Sequence, residues 1–193
     1  RGSDQLTYVI AEYLRCIDIG FRGFLCIDEG LLWVVNELKK TGDIPEDVVF
    51  KVSIYAGHAS AAGGKVLQDL GASTFNPLGD LTLPELAAIR KGVDIPLDLH
   101  IMLSESFGGF NRFYEGAEMA RVCSPCYFKI EPGPALAAGA GAWYKPWTSP
   151  DLLSWQGREK VKYAQIIHEL IQATNPQLKL SEVGAQGLAI PQV

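Results

Sequence analysis

The stretch Leu97-Asp98-Leu99-His100-Ile101-Met102 decides the fold class of this chain. Apolar and polar residues alternate along it, and successive side chains of a β-strand point to opposite faces. The two leucines and Ile101 would therefore share one face, and Asp98, His100 and Met102 the other. Burying polar groups without partners costs roughly 2–7 kcal/mol each. The pattern predicts a strand packed under helices on one side, with a polar face that is hydrogen-bonded or used in function.

The same alternation recurs elsewhere in the chain, between segments with helical periodicity. Strand signals begin at six places, near Phe24, Phe50, Ser73, Leu97, Tyr127 and Leu178. Apolar residues at three- and four-residue spacing predict helices between and around them, over 5–17, 31–40, 64–70, 83–91, 110–122 and 163–173. Strands that alternate with helices predict a parallel sheet with right-handed crossovers.

Two architectures fit six such strands in one α/β domain spanning residues 1–193. The short uniform units and the helix before the first strand favour a TIM-type (β/α) barrel, with about two of its eight units lying upstream of this chain. The alternative is an open doubly wound parallel sheet. No glycine-rich fingerprint for a nicotinamide or flavin cofactor follows the first strand. An irregular insertion rich in glycine, alanine and tryptophan is expected at about 132–156.

Composition narrows the function classes. The net charge of -5 comes without a basic stripe, so nucleic acid is not the expected partner. No apolar stretch approaches the ~20 residues that cross a bilayer, so no membrane association is expected. The four cysteines, which include the motif Cys123-Ser124-Pro125-Cys126, are predicted to be reduced packing residues rather than redox or metal ligands. A soluble, cytoplasmic protein is the expectation.

Polar residues near strand ends are the candidate site, because barrel enzymes place their functional groups there. Asp98 and His100 lie roughly 7 Å apart along one strand face. With Glu131 and Glu182 they could hold a divalent cation such as Mg, Mn or Zn. The alternative is that Asp98 and His100 hydrogen-bond to polar groups of neighbouring strands inside the fold.

Further candidates would move protons or bind substrate. Lys129 lies in an apolar strand, where a lysine can form a Schiff base; Lys51 occupies the comparable position on another strand. The alternative is that these lysines pair with Asp98, Glu131 or Asp28. His58 precedes a helix whose free amides favour an anion. The candidate substrate-binding residues are Asn76, Tyr55, Arg112 and Trp143. The aromatic segment 143–155 could be a lid or a docking surface.

Four strand-like segments resemble the barrel domain of the collagenase-like peptidase family, whose mechanism is unassigned. They are Phe-Lys-Val-Ser-Ile-Tyr-Ala-Gly at 50–57, Gly-Ala-Ser-Thr-Phe-Asn-Pro at 71–77, Ile-Pro-Leu-Asp-Leu-His-Ile at 95–101 and Tyr-Phe-Lys-Ile-Glu-Pro-Gly at 127–133. The resemblance implies a barrel domain that acts on peptides or related substrates. Some members are RNA hydroxylation factors with clustered cysteines for an iron–sulfur centre, a cluster that Cys123 and Cys126 do not reproduce.

These observations lead to one main hypothesis and one alternative. The main hypothesis is a barrel enzyme for a small polar or peptide-like substrate, either a peptidase-like hydrolase or a metal-assisted lyase or isomerase. Its centre would be Asp98, His100 and Glu131, with Lys129 or His58 moving the proton. The alternative is a non-catalytic binding or assembly subunit that docks through 143–155. Both hypotheses allow the protein to form a homo-oligomer.

Overall fold

The computed structural model describes residues 3–103, 109–131 and 149–182. Contacts among these residues group them into two compact units, and the chain passes from the first to the second after Asp98. The first unit holds the described residues up to Asp98, together with 181 and 182. The second unit extends from Leu99 to Leu180. The expectation of a single domain stays a prediction.

The first unit contains a parallel sheet and four helices. Its helices are α1 (Ser3–Asp18), α2 (Glu29–Thr41), α3 (Ala61–Asp69) and α4 (Leu83–Gly92). Its strands are β1 (Gly23–Cys26), β2 (Val49–Val52), β3 (Thr74–Phe75) and the start of β4 (Leu97–Leu103). The strand order is β1-β2-β3-β4, and each of these neighbours pairs in parallel. The predicted α/β class with a mostly parallel sheet is confirmed.

Local signals set the position of α2, which carries part of the candidate site. The Asp28 side chain caps its start, where Oδ1 accepts a hydrogen bond of 2.7 Å from the Leu31 backbone N–H. The helix stops at Gly42, whose φ of 84° is in the left-handed region that glycine adopts without strain. The first turn of α2 therefore lies directly after β1.

The two faces of the first-unit sheet differ in polarity, as the alternation in 97–102 predicted. Val52, Phe75 and Leu97 are register partners across three strands, and all three are buried. Lys51 and Thr74 are also register partners, so they share the opposite face. Alternation places Asn76 and Asp98 on that polar face too. The apolar face forms the core, and the polar face carries the candidate functional side chains.

The second unit continues β4 and adds two strands and two helices. Strand β5 (Phe110–Asn111) pairs antiparallel with β4, and β6 (Cys126–Ile130) also pairs with β4. The helices are α5 (Gly116–Cys123) and α6 (Pro150–Thr174). A Cβ on Gly116 would lie 3.0 Å from Ile101 Cδ1 and 3.4 Å from Ile167 Cγ2, so a glycine permits the close approach of α5 to β4 and α6.

Residues 110–122 do not form the continuous helix that was predicted. Residues 110–111 form β5, 113–115 form a 3-10 turn, and α5 begins only at Gly116. The backbone N–H of Arg112 donates to the Ile101 carbonyl at 2.8 Å, and the Asn111 side chain accepts from the Phe113 N–H at 3.0 Å. These bonds use backbone donors outside a helix, which overrides the apolar periodicity.

Two other boundaries differ from the sequence prediction. The strand predicted near Leu178 is a turn, because the Leu178 N–H donates to the Asn175 carbonyl and its own carbonyl accepts from the Gln172 side chain. Residues 150–156 lie in α6 rather than in an irregular insertion, since Pro150 fits the first turn of a helix. The rest of the predicted insertion, at 132–148, lies outside the described residues.

Parallel strands with intervening helices are compatible with the barrel and with the open sheet, so the barrel is not confirmed.

None of the helices in the described ranges combines the length and apolar character required to cross a membrane.

Candidate functional site

A buried ion pair lies on the polar face of the first-unit sheet. Lys51 Nζ on β2 is 3.5 Å from Asp98 Oδ2 on β4. The Asp98 side chain is 0% exposed, whereas that of Lys51 is 29% exposed. Strand β3 lies between β2 and β4 in the sheet order, and neighbouring strands are about 4.8 Å apart. The Lys51 side chain therefore spans β3 to reach the carboxylate. This contact matches the ion pair that was considered as an alternative to Schiff-base chemistry.

Two buried polar side chains, Thr74 on β3 and Asn76 directly after it, lie on the same face of the sheet as this pair. Asn76 Nδ2 donates a hydrogen bond of 2.7 Å to the Asp98 backbone carbonyl, which ties β3 to β4. Thr74 is completely buried, and its Oγ1 has no hydrogen-bond partner among the residues that the structure describes. A buried hydroxyl without a partner costs about 1–3 kcal/mol. This row, which is Lys51, Thr74, Asn76 and Asp98, is here called the polar row.

A histidine and a glutamate meet at the carboxyl end of the same parallel strands. Nε2 of His58 and Oε1 of Glu29 are 2.7 Å apart. Glu29 opens α2 directly after β1, and His58 follows a 3-10 turn (Ile54–Ala56) after β2. The His58 carbonyl accepts a hydrogen bond of 3.0 Å from the Leu78 N–H, so the loop after β3 holds the histidine backbone. Three successive strand ends thus position this pair.

The hydrogen bond to Glu29 determines which His58 nitrogen can act as a base. An ionised carboxylate only accepts hydrogen bonds, so Nε2 carries the proton of the neutral ring and Nδ1 keeps its lone pair. Gly63 in α3 lies beside Nδ1, because a Cβ built on Gly63 would be 2.8 Å from that atom. A methyl group at position 63 would fill the space next to Nδ1. An imidazole oriented by a carboxylate in this way is suited to general acid–base catalysis.

Cys26 lies at the end of β1, close to the acidic start of α2. Burial first, and the charges of Asp28 and Glu29 second, raise the pKa of the Cys26 thiol from 9.0 to about 11. A thiol in this state stays protonated and is a poor nucleophile at neutral pH. All four cysteines are free. Cys26 therefore contributes packing rather than nucleophilic chemistry.

The shifted pKa of Cys26 makes stability depend on pH. The folded state keeps a proton that the unfolded state loses, so the contribution is complete below pH 9 and is lost as the pH rises toward 11. We expect the unfolding free energy to fall by roughly 2–3 kcal/mol across that window from this group. Urea titrations at pH 8 and pH 11 would measure the loss. It should shrink in a Cys26→Ala variant but not in Cys16→Ala; equal losses in both variants would contradict the assignment.

The second unit holds other residues that the sequence analysis proposed for catalysis. His100 on β4 and Lys129 on β6 are half-buried, and Glu131 directly follows β6. The Glu131 N–H donates to the Met102 carbonyl at 3.0 Å. Burial lowers the pKa of Lys160 on α6, and the charge of Glu131 opposes that shift. The second unit therefore brings Glu131 near a lysine that the sequence analysis had not named.

The remaining predicted residues have different surroundings. Arg112 Nε bonds Glu115 Oε2 at 2.6 Å, so its guanidinium already contacts a carboxylate of its own segment. Tyr55 and Glu182 are exposed, while Trp143 lies outside the described residues. Within the described ranges, no group of three or more His, Cys, Asp or Glu side chains could hold a metal ion. A metal centre on Asp98, His100, Glu131 and Glu182 stays a prediction.

Sequence reasoning missed two features of this region. It named His58 without its partner Glu29, and it included Thr74 only as part of the strand-like segment 71–77. Thr74 lies two residues before Asn76 in the same predicted strand, so side-chain alternation could have placed it on the face of that candidate residue. The pairing of His58 with Glu29 depends on how the loops fold.

Comparisons with known proteins found similarity among solved structures. No family model matches this chain, and no curated protein sequence matches it. A solved structure of the U32 peptidase Mk0906 is similar over 75% of this chain, with 16% sequence identity and a TM-score of 0.41. This chain spans about half of that protein, 51% of its length. A likeness of this size carries no argument about activity.

Proposed function

We propose that this chain is a hydrolase for a peptide-like substrate, built on a TIM-type barrel, with His58 as the general base. The observation that carries the proposal is the 2.7 Å hydrogen bond between His58 and Glu29 at the carboxyl end of parallel strands. The sequence resemblance to the collagenase-like peptidase family, from the four quoted segments, supports the substrate class. The polar row lies on the sheet whose strand ends carry this pair, and its polar side chains support a polar substrate.

The proposed reaction assigns a role to each member of the pair. Nδ1 of His58 takes a proton from water, and the water oxygen adds to the substrate carbonyl carbon. The C–N bond then breaks, and the imidazolium returns the proton to the leaving nitrogen. Glu29 does not touch the reacting atoms. It holds the ring orientation and stabilises the imidazolium through the Nε2 hydrogen bond, so it is a positioning residue.

The hydrolase is favoured over the metal-assisted lyase or isomerase because the His58–Glu29 pair can activate water without a set of metal ligands. The docking alternative depends on 143–155, most of which lies outside the described residues. Trp155 on α6 is exposed, but no described contact shows what would cover it.

Peptide cleavage in heavy-oxygen water tests this function. The purified chain would be incubated with short peptides of mixed sequence in H₂¹⁸O, and products would be identified by mass spectrometry. We expect new carboxyl termini that each carry one ¹⁸O atom. His58→Gln should remove the products, and the matched variant His168→Gln, at the histidine of α6, should keep them. Products that persist unchanged in His58→Gln would disprove the assignment of His58.

A further inference from the structure

A side-chain hydrogen bond at the end of β3 stands where a proline cannot make a backbone bond. In a β-strand, the backbone groups of successive residues point alternately to the two neighbouring strands. The Asn76 N–H donates to the Val52 carbonyl of β2 at 2.9 Å. The backbone of position 77 therefore points toward β4, the other neighbour of β3. That position is Pro77, which has no N–H to donate.

The Asn76 side chain supplies a donor in place of the proline. Its Nδ2 donates a hydrogen bond of 2.7 Å to the Asp98 carbonyl of β4. Asp98 is completely buried, and buried backbone carbonyls are almost always hydrogen-bonded. The end of β3 is therefore held to β2 by the backbone of Asn76 and to β4 by its side chain.

The chain leaves β3 through a segment with few free torsions. The residue before a proline is restricted to extended conformations, and the proline ring fixes its own φ at about −65°. Pro77 is also buried. The orientation of Asn76 therefore determines where Leu78 lies, and the Leu78 N–H donates to the His58 carbonyl at 3.0 Å.

The position of His58 in its loop explains why this contact matters. His58 follows Gly57, whose φ of 77° is in the left-handed region that glycine adopts readily. It precedes residues 59–60, which are exposed. The Leu78 bond connects this loop to the end of β3. A shift of the His58 backbone would move its Nε2 away from Glu29 Oε1, which is 2.7 Å from it.

The geometry points to Asn76 as a positioning residue for His58. Its side chain fixes the exit from β3, Leu78 holds the His58 carbonyl, and the imidazole keeps its hydrogen bond to Glu29. This inference rests on the proposed function for the catalytic role of His58. Asn76 acts through the main chain and does not touch the reacting atoms. Misplacing a reacting group by about 1 Å can lower a rate by about 10²-fold.

The proton on His58 Nε2 gives a readout that needs no turnover. Nuclear magnetic resonance of the full chain with ¹⁵N-labelled histidine would detect this proton, because its exchange with water requires the hydrogen bond to Glu29 to open. A His58→Gln variant identifies the signal. We expect Asn76→Ala to lose it through exchange while circular dichroism shows that the fold is kept. An unchanged signal in folded Asn76→Ala would overturn the inference.

Ser73→Ala is the matched control for this variant. The Ser73 Oγ accepts a hydrogen bond of 3.1 Å from the Phe50 N–H. The control therefore also removes a side-chain bond to a neighbouring strand, but beside the amino end of β3. It should keep the His58 signal. Loss of the signal in both variants would point to general disruption of the sheet and count against a specific role of Asn76.

Restoring a backbone donor at position 77 gives the strictest test. Pro77→Ala supplies an N–H directed at the Asp98 carbonyl, so the double variant Asn76→Ala with Pro77→Ala should regain the His58 signal. It also decides the case in which Asn76→Ala alone does not fold, because the new donor should then recover folding and signal together. A double variant that stays unfolded, or that folds without the signal, would refute the positioning role.

Steady-state kinetics separate this inference from the proposed function. On a peptide that the wild type cleaves, Asn76→Ala should lower kcat by about 10²-fold at unchanged KM. Loss of the His58 signal in Asn76→Ala, without peptide cleavage by the wild type, would refute the hydrolase and keep the positioning role. Cleavage with the same kcat in the wild type and in Asn76→Ala would refute the positioning role and keep the hydrolase.

Discussion

A Lys51→Met variant is expected to lose about 3–5 kcal/mol of unfolding free energy, the usual effect of removing one partner of a buried ion pair. The substitution leaves the Asp98 carboxylate fully buried without its cation 3.5 Å away. The methionine keeps most of the aliphatic length of the lysine, so lost packing is a small part of the effect. Urea unfolding followed by circular dichroism would measure the change.

Two further variants make this experiment specific to the charge. Lys65→Met breaks the exposed pair of Lys65 with Asp69 on α3, and such surface pairs contribute at most about 1 kcal/mol. The double variant Lys51→Met with Asp98→Leu removes both buried charges and should regain most of the loss. If Lys51→Met were no more destabilised than Lys65→Met, the buried pair would have no structural role.

The polarity of each sheet face could be predicted from the sequence because side-chain alternation is a local property of a strand. The stretch 97–102 placed Asp98 opposite Leu97, and the register of β2, β3 and β4 agrees with that placement in the first unit. The sequence analysis considered Lys51 as a partner of Asp98, but alternation could not choose between Asp98, Glu131 and Asp28. Lys51 lies on a different strand, and only the order of strands in the sheet brings it across β3 to Asp98.

Contacts that are not visible in the local pattern also explain the other errors and omissions of the sequence analysis. The pairing of Glu29 with His58 joins positions 29 residues apart, through two loops whose conformations are set by turns and caps. The helix predicted over 110–122 failed in its first half because the Asn111 side chain and the Ile101 carbonyl bind backbone N–H groups there. The periodicity of apolar residues carries no information about such competing hydrogen bonds.

His58→Gln should lower kcat for peptide hydrolysis by about 10²–10⁴-fold, the usual contribution of a general base. Glutamine can keep a hydrogen bond to Glu29, but its amide cannot take a proton from water at neutral pH. The fold should be preserved, because His58 is partly exposed and its main-chain bond to Leu78 does not depend on the side chain. Steady-state kinetics on a peptide that the wild type cleaves would measure the effect.

Glu29→Gln tests whether the carboxylate acts through His58. A neutral partner stabilises the imidazolium less, so kcat should fall while KM for the peptide stays unchanged. A residue with only a structural role would instead lower the unfolding free energy and leave kcat of the folded protein unchanged. Glu37→Gln, at an exposed glutamate later in the same helix, is the control and should leave both kcat and KM as in the wild type.

Gly63→Ala separates catalysis from stability at the same site. Alanine favours the helical state over glycine by about 0.8–1.0 kcal/mol, yet its methyl group would lie 2.8 Å from His58 Nδ1. The ring must then move away from Glu29, or the space beside Nδ1 is filled. Hydrolysis should therefore fall while the first unit stays folded.

Gly64→Ala is the contrasting variant, because a Cβ there would meet Val93 and Phe75 in the core and lower stability instead. If Gly63→Ala kept full activity, Nδ1 would not be the atom that accepts the proton from water.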